Sequence, residues 1–507
     1  MTQLSPVPNH VERLEGYEDF VRAVMEEWKV PGVAIGLVKD GEVVLAQGFG
    51  KRDREAGLDV TPRTIFGIAS CTKAFVAMAL AMLVDEGKLV WDAPIKNYLP
   101  GFKLSDSVAS ERITTRDVLS HRTGLPGHDL VAYGTELTAE ELLQRLPHLE
   151  MNKDMRTTWQ YNNLMYGIAG YLIECISGQS WDIFIRQRIL EPLGMTSTSF
   201  TIAEVQQMPD YAMPYKLADG EIQKTNFYHL VGADAPAGSI NSNVEDMTKW
   251  LRCLLNKTQY GEGQRLVSEE QFQQLIGPQM IMPPWSYQTE QYTEESRMCY
   301  AFGWWVYTYR GHRVVQHSGG IDGFSCLTTF LPDDNIGVVV LTNREAHLVP
   351  VHGIFTYNAC DRLLGLDEVP WNERTRRDYT RLEEQVEKGK REAEAKRVAN
   401  AHLSHAPDDY TGQYEHPAYG IFEVQRDGEG FKGLHNGFEY RLTHLHYDIF
   451  VAHLSRFDFQ FKASFAMNLD GDIESLVLPL EPEAKPVVFK RVLALVKTDT
   501  DTMGGTV

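Results

Sequence analysis

The 507-residue chain contains no run of about eighteen apolar residues, so it offers no candidate membrane-spanning helix. Cysteine is scarce: the six residues Cys71, Cys175, Cys253, Cys299, Cys326 and Cys360 are scattered, without a Cys-x-x-Cys pair, which argues against a disulfide scaffold. Positive charge is short as well, with 49 Lys and Arg against 69 Asp and Glu, a net of −20. A surface of that sign repels phosphate backbones and excludes nucleic acid as the expected partner. The stretch Met1 to Phe20 lacks the basic and apolar regions of an export signal, which predicts a cytoplasmic chain with reduced thiols. There is no internal repeat and no low-complexity tract. What remains is ordinary globular material, 43% hydrophobic and 23% charged, and long enough for more than one core.

An amphipathic helix is predicted from Val11 to Lys29, stopped by Pro31-Gly32. Strands follow at Val33 to Val38 and Val43 to Phe49, joined by a hairpin with an Asp40-Gly41 turn. The apolar segment Ala74 to Val84 reads as a helix buried on all sides. Further helices are expected at Thr138 to Leu146, Met165 to Ile176, Trp181 to Ile189 and Val244 to Leu255. Strand signals return between Trp304 and Thr342. Strands at both ends with helices between them imply an α+β domain whose antiparallel sheet is completed by both chain ends. From Glu373 to Val398, 16 of 26 residues are charged, which predicts a solvated helix or linker. From Tyr410 to Leu495, short alternating runs broken by Asp427-Gly428, Asn436-Gly437 and Asp470-Gly471 predict a small all-β sandwich or barrel. The expected division is 1–366 catalytic domain, 367–405 charged helical linker, 406–497 barrel and 498–507 tail.

The chemistry centres on Ser70-Cys71-Thr72-Lys73. A serine and a lysine three residues apart share one helical face. The serine would sit at a helix N-terminus, where the free N–H groups favour developing negative charge. Its hydroxyl needs a base, and a lysine serves if burial lowers its pKa. Ser-x-x-Lys alone arises by chance about once or twice in such a chain. Tyr161-Asn162-Asn163 and His317-Ser318-Gly319-Gly320 follow in order. Taken singly, Tyr161 fits a core tyrosine, Asn163 a helix N-cap and His317 a loop histidine.

Together these motifs resemble the serine β-lactamase and penicillin-binding-protein superfamily, in its class C-like branch. That branch includes D-alanyl-D-alanine carboxypeptidases, D-aminopeptidases and family VIII-type esterases. The resemblance runs from Val30 to Asn343 and takes in Val30-Pro31-Gly32, Phe66 to Ser70, Gly87-Lys88-Leu89, Ile113 to Pro126, Glu191 to Met195, Pro236-Ala237-Gly238, Gly303-Trp304 and Pro332 to Asn343. It implies a β-lactamase/transpeptidase-like fold with Ser70 as the acylated nucleophile, Lys73 as its base and Tyr161 as proton shuttle. Asn163 would bind the lysine and the substrate amide, and the N–H groups of Ser70 and Gly320 would form the oxyanion hole. Ser318 and Gly319 complete the third motif, which in most relatives begins with lysine. His317 in that place lowers the expectation of penicillin hydrolysis, and the imidazole could protonate the leaving group. Asn162 receives no role, while His121 and Cys71 read as packing residues. Trp304 and Trp305 fit cleft lining or core equally. His435, His444, His446 and His453 stand at no metal spacing.

Tyr410 to Tyr414, Tyr419-Gly420, Leu442 to Phe450 and Val487 to Phe489 resemble the lipocalin-like barrel attached to some of these hydrolases. In such relatives the barrel restricts the cleft, and some form closed homo-oligomers. The expected function is a cytoplasmic serine hydrolase, independent of metal or organic cofactor, acting on short peptides or amides with D-residues among them. Its rivals are a carboxylesterase, a weak β-lactamase, or a non-catalytic scaffold of the same fold. No membrane partner is expected.

Overall fold

The computed structural model describes residues 10–283, 292–345, 351–398, 401–454, 456 and 459–493. They fall into two compact units, Met1–Glu392 and Ala393–Val507. The terminal segment 498–507, expected as a tail, lies outside the described residues.

The helix expected from Val11 to Lys29 is two pieces, a turn at His10–Arg13 and α1 (Tyr17–Glu27). Gly16, at φ 78, turns the chain between them. Strands β1 (Gly32–Lys39) and β2 (Glu42–Asp53) form the expected hairpin. The main helices are α2 (Thr72–Asp85), α3 (Asn163–Ser177) and α4 (Val244–Leu255). The chain then returns to the sheet as β3 (Trp305–Tyr309), β4 (His312–Ile321), β5 (Phe324–Leu331) and β6 (Ile336–Thr342), followed by α5 (His352–Leu364) and α6 (Trp371–Ala395), whose last residues pass the unit's boundary.

The nine-stranded sheet is closed across the sequence by antiparallel pairing of β1 with β6, Ile35 opposite Val340. Every residue of β1 from Gly32 to Val38 is buried because both faces are covered. Val33, Ile35 and Leu37 point into a core shared with Tyr17 and Val21 of α1 and Ile354 and Phe355 of α5. The alternate residues face α4, where a Cβ on Gly36 would meet Thr248 at 2.7 Å. Helix α2 is buried on all sides, as its continuous apolar sequence predicts, and Phe75 stacks on Trp250 at 4.4 Å. Truncating such a ring to alanine costs about 3–5 kcal/mol.

The charged stretch forms α6, and its first turns belong to the first unit. Trp371 is buried in the α1–α5 core, and Tyr379 meets the Trp28 ring edge-on at 5.6 Å. The first unit therefore extends past the boundary that the sequence places at 366.

The second unit is a closed barrel of eight strands in up-and-down order: β7 (Gly412–His416), β8 (Gly420–Asp427), β9 (Gly430–His435), β10 (Phe438–His446), β11 (Ile449–Leu454), β12 (Phe459–Met467), β13 (Ile473–Leu478) and β14 (Val487–Arg491). Residues alternate between buried and exposed along β8 to β11, the period of a sheet with one solvated face. Tyr410 anchors the interior, with its ring against Phe431, Phe450 and Phe465 and its hydroxyl donating to Asp448 at 2.6 Å. The run Leu442 to Phe450 divides into two strands, because the chain turns at Tyr447, φ 50.

Candidate active site

Ser70 lies in a 3₁₀ turn, Ala69–Cys71, that runs directly into α2. Ala69 is held at φ 44, a conformation that costs a residue with a side chain about 1–3 kcal/mol. Its surroundings fix it. The Ile68 N–H donates to Ile240 O at 3.0 Å, and the Ile240 N–H donates to Thr72 Oγ1 at 3.1 Å. On the other side β4 presses against the turn at Gly319, where a Cβ would stand 2.2 Å from Ile68 O and 2.7 Å from Cys326 Sγ. Only glycine permits that approach. At Gly320 the same direction is open, with nothing within 4 Å of a Cβ. Strand β4 continues past Gln316, its last residue paired to β3 (opposite Trp305), while its other edge stays paired to β5 through Ile321.

Lys73 Nζ is 3.0 Å from Ser70 Oγ, 2.7 Å from Asn163 Oδ1 and 2.7 Å from Ala237 O. The side chain is fully buried, with the Tyr161 and Tyr166 rings 4.8 and 5.2 Å from the nitrogen. Burial pushes its pKa down to about 7, while the Asp234 and Asp129 carboxylates pull the other way. A neutral amine has two N–H donors and one lone pair. Asn163 Oδ1 and Ala237 O can only accept, so they take both donors and leave the lone pair facing the Ser70 hydroxyl. The orientation of Asn163 is fixed in turn, since its Nδ2 donates to Asp129 Oδ1 at 3.1 Å.

The Tyr161 hydroxyl donates to Ser70 Oγ at 2.9 Å. Burial raises its pKa, so it remains a phenol and a proton donor. When Lys73 is neutral, Ser70 Oγ accepts from Tyr161 and can give its own proton toward Lys73. Among the two asparagines it is Asn162 that caps α3, accepting from the Met165 N–H at 2.9 Å, while its Nδ2 donates to Pro126 O at 2.5 Å. Asn162, left without a role by the sequence, therefore aims both Tyr161 and Asn163.

His317 is placed differently from the expectation. Its ring is buried, stacked on Trp305 at 4.8 Å, with Nδ1 2.6 Å from Ser318 O and Nε2 2.8 Å from the Tyr300 hydroxyl. Burial and the nearby Lys73 push its pKa down to about 3. A neutral imidazole whose N–H and lone pair are both engaged is a poor proton donor, so this placement gives the general-acid role considered for it no support. Trp305 is its stacking partner, whereas Trp304 packs on Phe330 at 5.3 Å. Cys71 is buried, its thiol donating to His317 O at 3.1 Å. His121, set aside as a packing residue, lies with its ring 4.4 Å from that of Tyr161. Asp129, Asp234 and Tyr300 belong to the site and stood outside every recognised motif. Asp234 is buried, and burial together with Asp129 raises its pKa.

With this geometry in view, the comparisons with known proteins define the class. Residues 17–358 match the Beta-lactamase family and residues 396–491 match a domain of unknown function, DUF3471. The chain belongs to the Beta-lactamase family and is a serine hydrolase of the penicillin-binding-protein-like type with a C-terminal β-barrel. It is 29% identical over 450 residues to the unguisins hydrolase ungD' of Aspergillus campestris, covering 82% of this chain and 78% of that one. It is 28% identical over 332 residues to Protein flp of Staphylococcus aureus, 64% of this chain and 62% of that one. Among solved structures, the octameric penicillin-binding protein homologue from Pyrococcus abyssi aligns with a TM-score of 0.63 at 26% identity, over 94% of this chain and all (100%) of the other. D-amino acid amidase from Ochrobactrum anthropi SV3 shares the fold, with a TM-score of 0.55 at 22% identity over 69% of this chain and 97% of that one. Among the described residues no helix is long and apolar enough to cross a membrane.

Proposed function

We propose that the protein cleaves short peptides or amides, substrates with D-residues among them, through an acyl-enzyme on Ser70. The reading is carried by the bonded cluster Ser70–Lys73–Asn163–Tyr161, in which a lysine whose pKa burial lowers to about 7 can, once neutral, turn its lone pair on the nucleophile. Ser70 Oγ bonds to the substrate carbonyl carbon as its proton passes to Lys73 Nζ. The carbonyl oxygen becomes an oxyanion held by the N–H groups of Ser70 and Gly320. The C–N bond then breaks, with the Tyr161 hydroxyl protonating the leaving nitrogen and recovering a proton from Lys73. Water releases the acid by the reverse sequence. Asn163 binds the substrate amide beside the lysine it orients. His317, neutral and buried, offers no cation for a substrate carboxylate, which supports amides and small peptides over penicillins. A hydrolase among the relatives and an amidase of the same fold agree with this chemistry. The octameric homologue supports a closed homo-oligomer, which the mass of the native particle tests.

Rates on a D-amino-acid anilide, a short-chain p-nitrophenyl ester and a chromogenic cephalosporin separate the readings. The highest kcat/KM is expected on the anilide. A clear preference for the ester or the cephalosporin would make the protein an esterase or a β-lactamase instead.

A further inference from the structure

Three side chains that the proposed mechanism does not use form a continuous path from the Tyr161 loop to the third motif. The Asn162 N–H donates to His121 Nδ1 at 3.1 Å, and His121 Nε2 is 3.2 Å from the Tyr300 hydroxyl. That hydroxyl is 2.8 Å from His317 Nε2, and His317 Nδ1 is 2.6 Å from Ser318 O. His121, Tyr300 and His317 are each no more than 1% exposed.

The two ends fix every proton along the path. A backbone N–H can only donate, so His121 Nδ1 carries a lone pair and its Nε2 carries the proton. A backbone carbonyl can only accept, so His317 Nδ1 carries the proton and its Nε2 the lone pair. Tyr300 stands between them, accepting from His121 and donating to His317. Burial disfavours the protonated form of both imidazoles, and Lys73 adds to this whenever it is protonated, so neither competes with the lysine for its proton.

We propose that His121 and Tyr300, acting through His317, are positioning residues: their directed chain of hydrogen bonds sets Tyr161 at one end and the Ser318–Gly320 strand at the other. The inference rests on the Ser70 reading above. His121 is suited to the task by strain as well as by chemistry. Its backbone is at φ 56, so its ring is presented from a turn, and its carbonyl accepts the Gln160 N–H at 2.8 Å. The residue therefore grips the Gln160–Asn162 segment by ring and by backbone, while its ring packs 4.4 Å from that of Tyr161. Tyr300, on a short strand, ties that loop to β4, whose Gly319 touches the nucleophile turn. Tyr161 and the proposed oxyanion hole are thereby set by one shared device.

The test uses the full chain. In Tyr300→Phe the ring remains but His121 loses its acceptor and His317 its donor. We expect kcat on the anilide to fall about 10–100-fold, the range for sub-ångström to ångström misplacement of a catalytic group, with KM within about twofold. His121→Asn keeps an acceptor for the Asn162 N–H and tolerates positive φ, so it should retain more activity than His121→Ala. Nitrogen-15 spectra of histidine-labelled wild-type protein at pH 7 should show opposite tautomers, Nε2–H for His121 and Nδ1–H for His317. An unchanged kcat in Tyr300→Phe, or a loss confined to KM, overturns the proposal. If that variant does not fold, the wild-type tautomers decide, and finding both rings alike or either one protonated overturns it. Failure of Ser70 to be acylated would defeat the functional reading while leaving the tautomers to report on the chain.

Discussion

Lys73 Nζ and Asn163 Oδ1 lie 2.7 Å apart although ninety residues separate them in the chain. That contact, with the Ala237 carbonyl opposite, would consume both donors of the neutral amine and turn its lone pair on Ser70. Helices α2 and α3 pack side by side, and the first turn of each supplies one partner.

Lys73 and Tyr161 should behave as one proton-transfer unit, since both bond the same oxygen. Lys73→Ala and Tyr161→Phe should each lower kcat/KM by about 10²–10⁴-fold. Their double variant should lose far less than the product of the two. Steady-state rates on one substrate measure this, and multiplicative losses would mean that the two act independently.

The pH profile should carry an acid limb near pH 7, set by Lys73 together with the neighbouring Asp234, which titrates in the same range. Lys73 is a base only when neutral, and its pKa of about 7 lies below the usual lysine value, so kcat/KM should rise about tenfold per unit up to pH 7 and level off above. His317 stays neutral throughout that range and adds no limb. Asp234→Asn removes a charge that favours the protonated lysine, so the limb should move to lower pH. A limb that stays in place would separate Asp234 from the base.

Gly319 and Gly320 should respond oppositely to a methyl group. Gly319→Ala drives a Cβ into Ile68 O at 2.2 Å, so β4 must retreat from Ser70. A stability loss of about 1–3 kcal/mol is expected, with kcat down about 10²-fold. Gly320→Ala meets nothing within 4 Å and should leave Tm unchanged. Thermal unfolding and rates on the two variants make the comparison.

His317→Lys would place an ammonium in a space closed by Trp305 and Tyr300. Tm should fall, by a stability cost on the order of 3 kcal/mol, with no gain for substrates bearing a free carboxylate. A variant of wild-type stability that prefers carboxylates would return this position to the cleft.

The sequence is most informative where chemistry is local. Ser70 and Lys73 share a helical face, and the apolar run after them forms the buried α2. The strands from both chain ends meet as their patterns imply. Tyr161 and Asn163 were legible through their motif, but which of two adjacent asparagines caps α3 depends on how the chain enters the helix. His317 looked like a group facing substrate because its motif faces substrate. Its burial is made by Tyr300 and Trp305, which arrive on neighbouring strands that the pattern does not align. His121 was read as packing because its partners, Asn162 and Tyr300, are 41 and 179 residues away. Trp371 and Tyr379 are hidden in the sequence by the charge around them, although both pack on the first unit's core.

The central claim is that Ser70 is the residue acylated. The most direct measurement is mass mapping of the full chain after reaction with a serine-directed fluorophosphonate. The account predicts one label, on the peptide that contains Ser70, and none in Ser70→Ala, which should also lose turnover. A label on a different serine, or full turnover by Ser70→Ala, would contradict it.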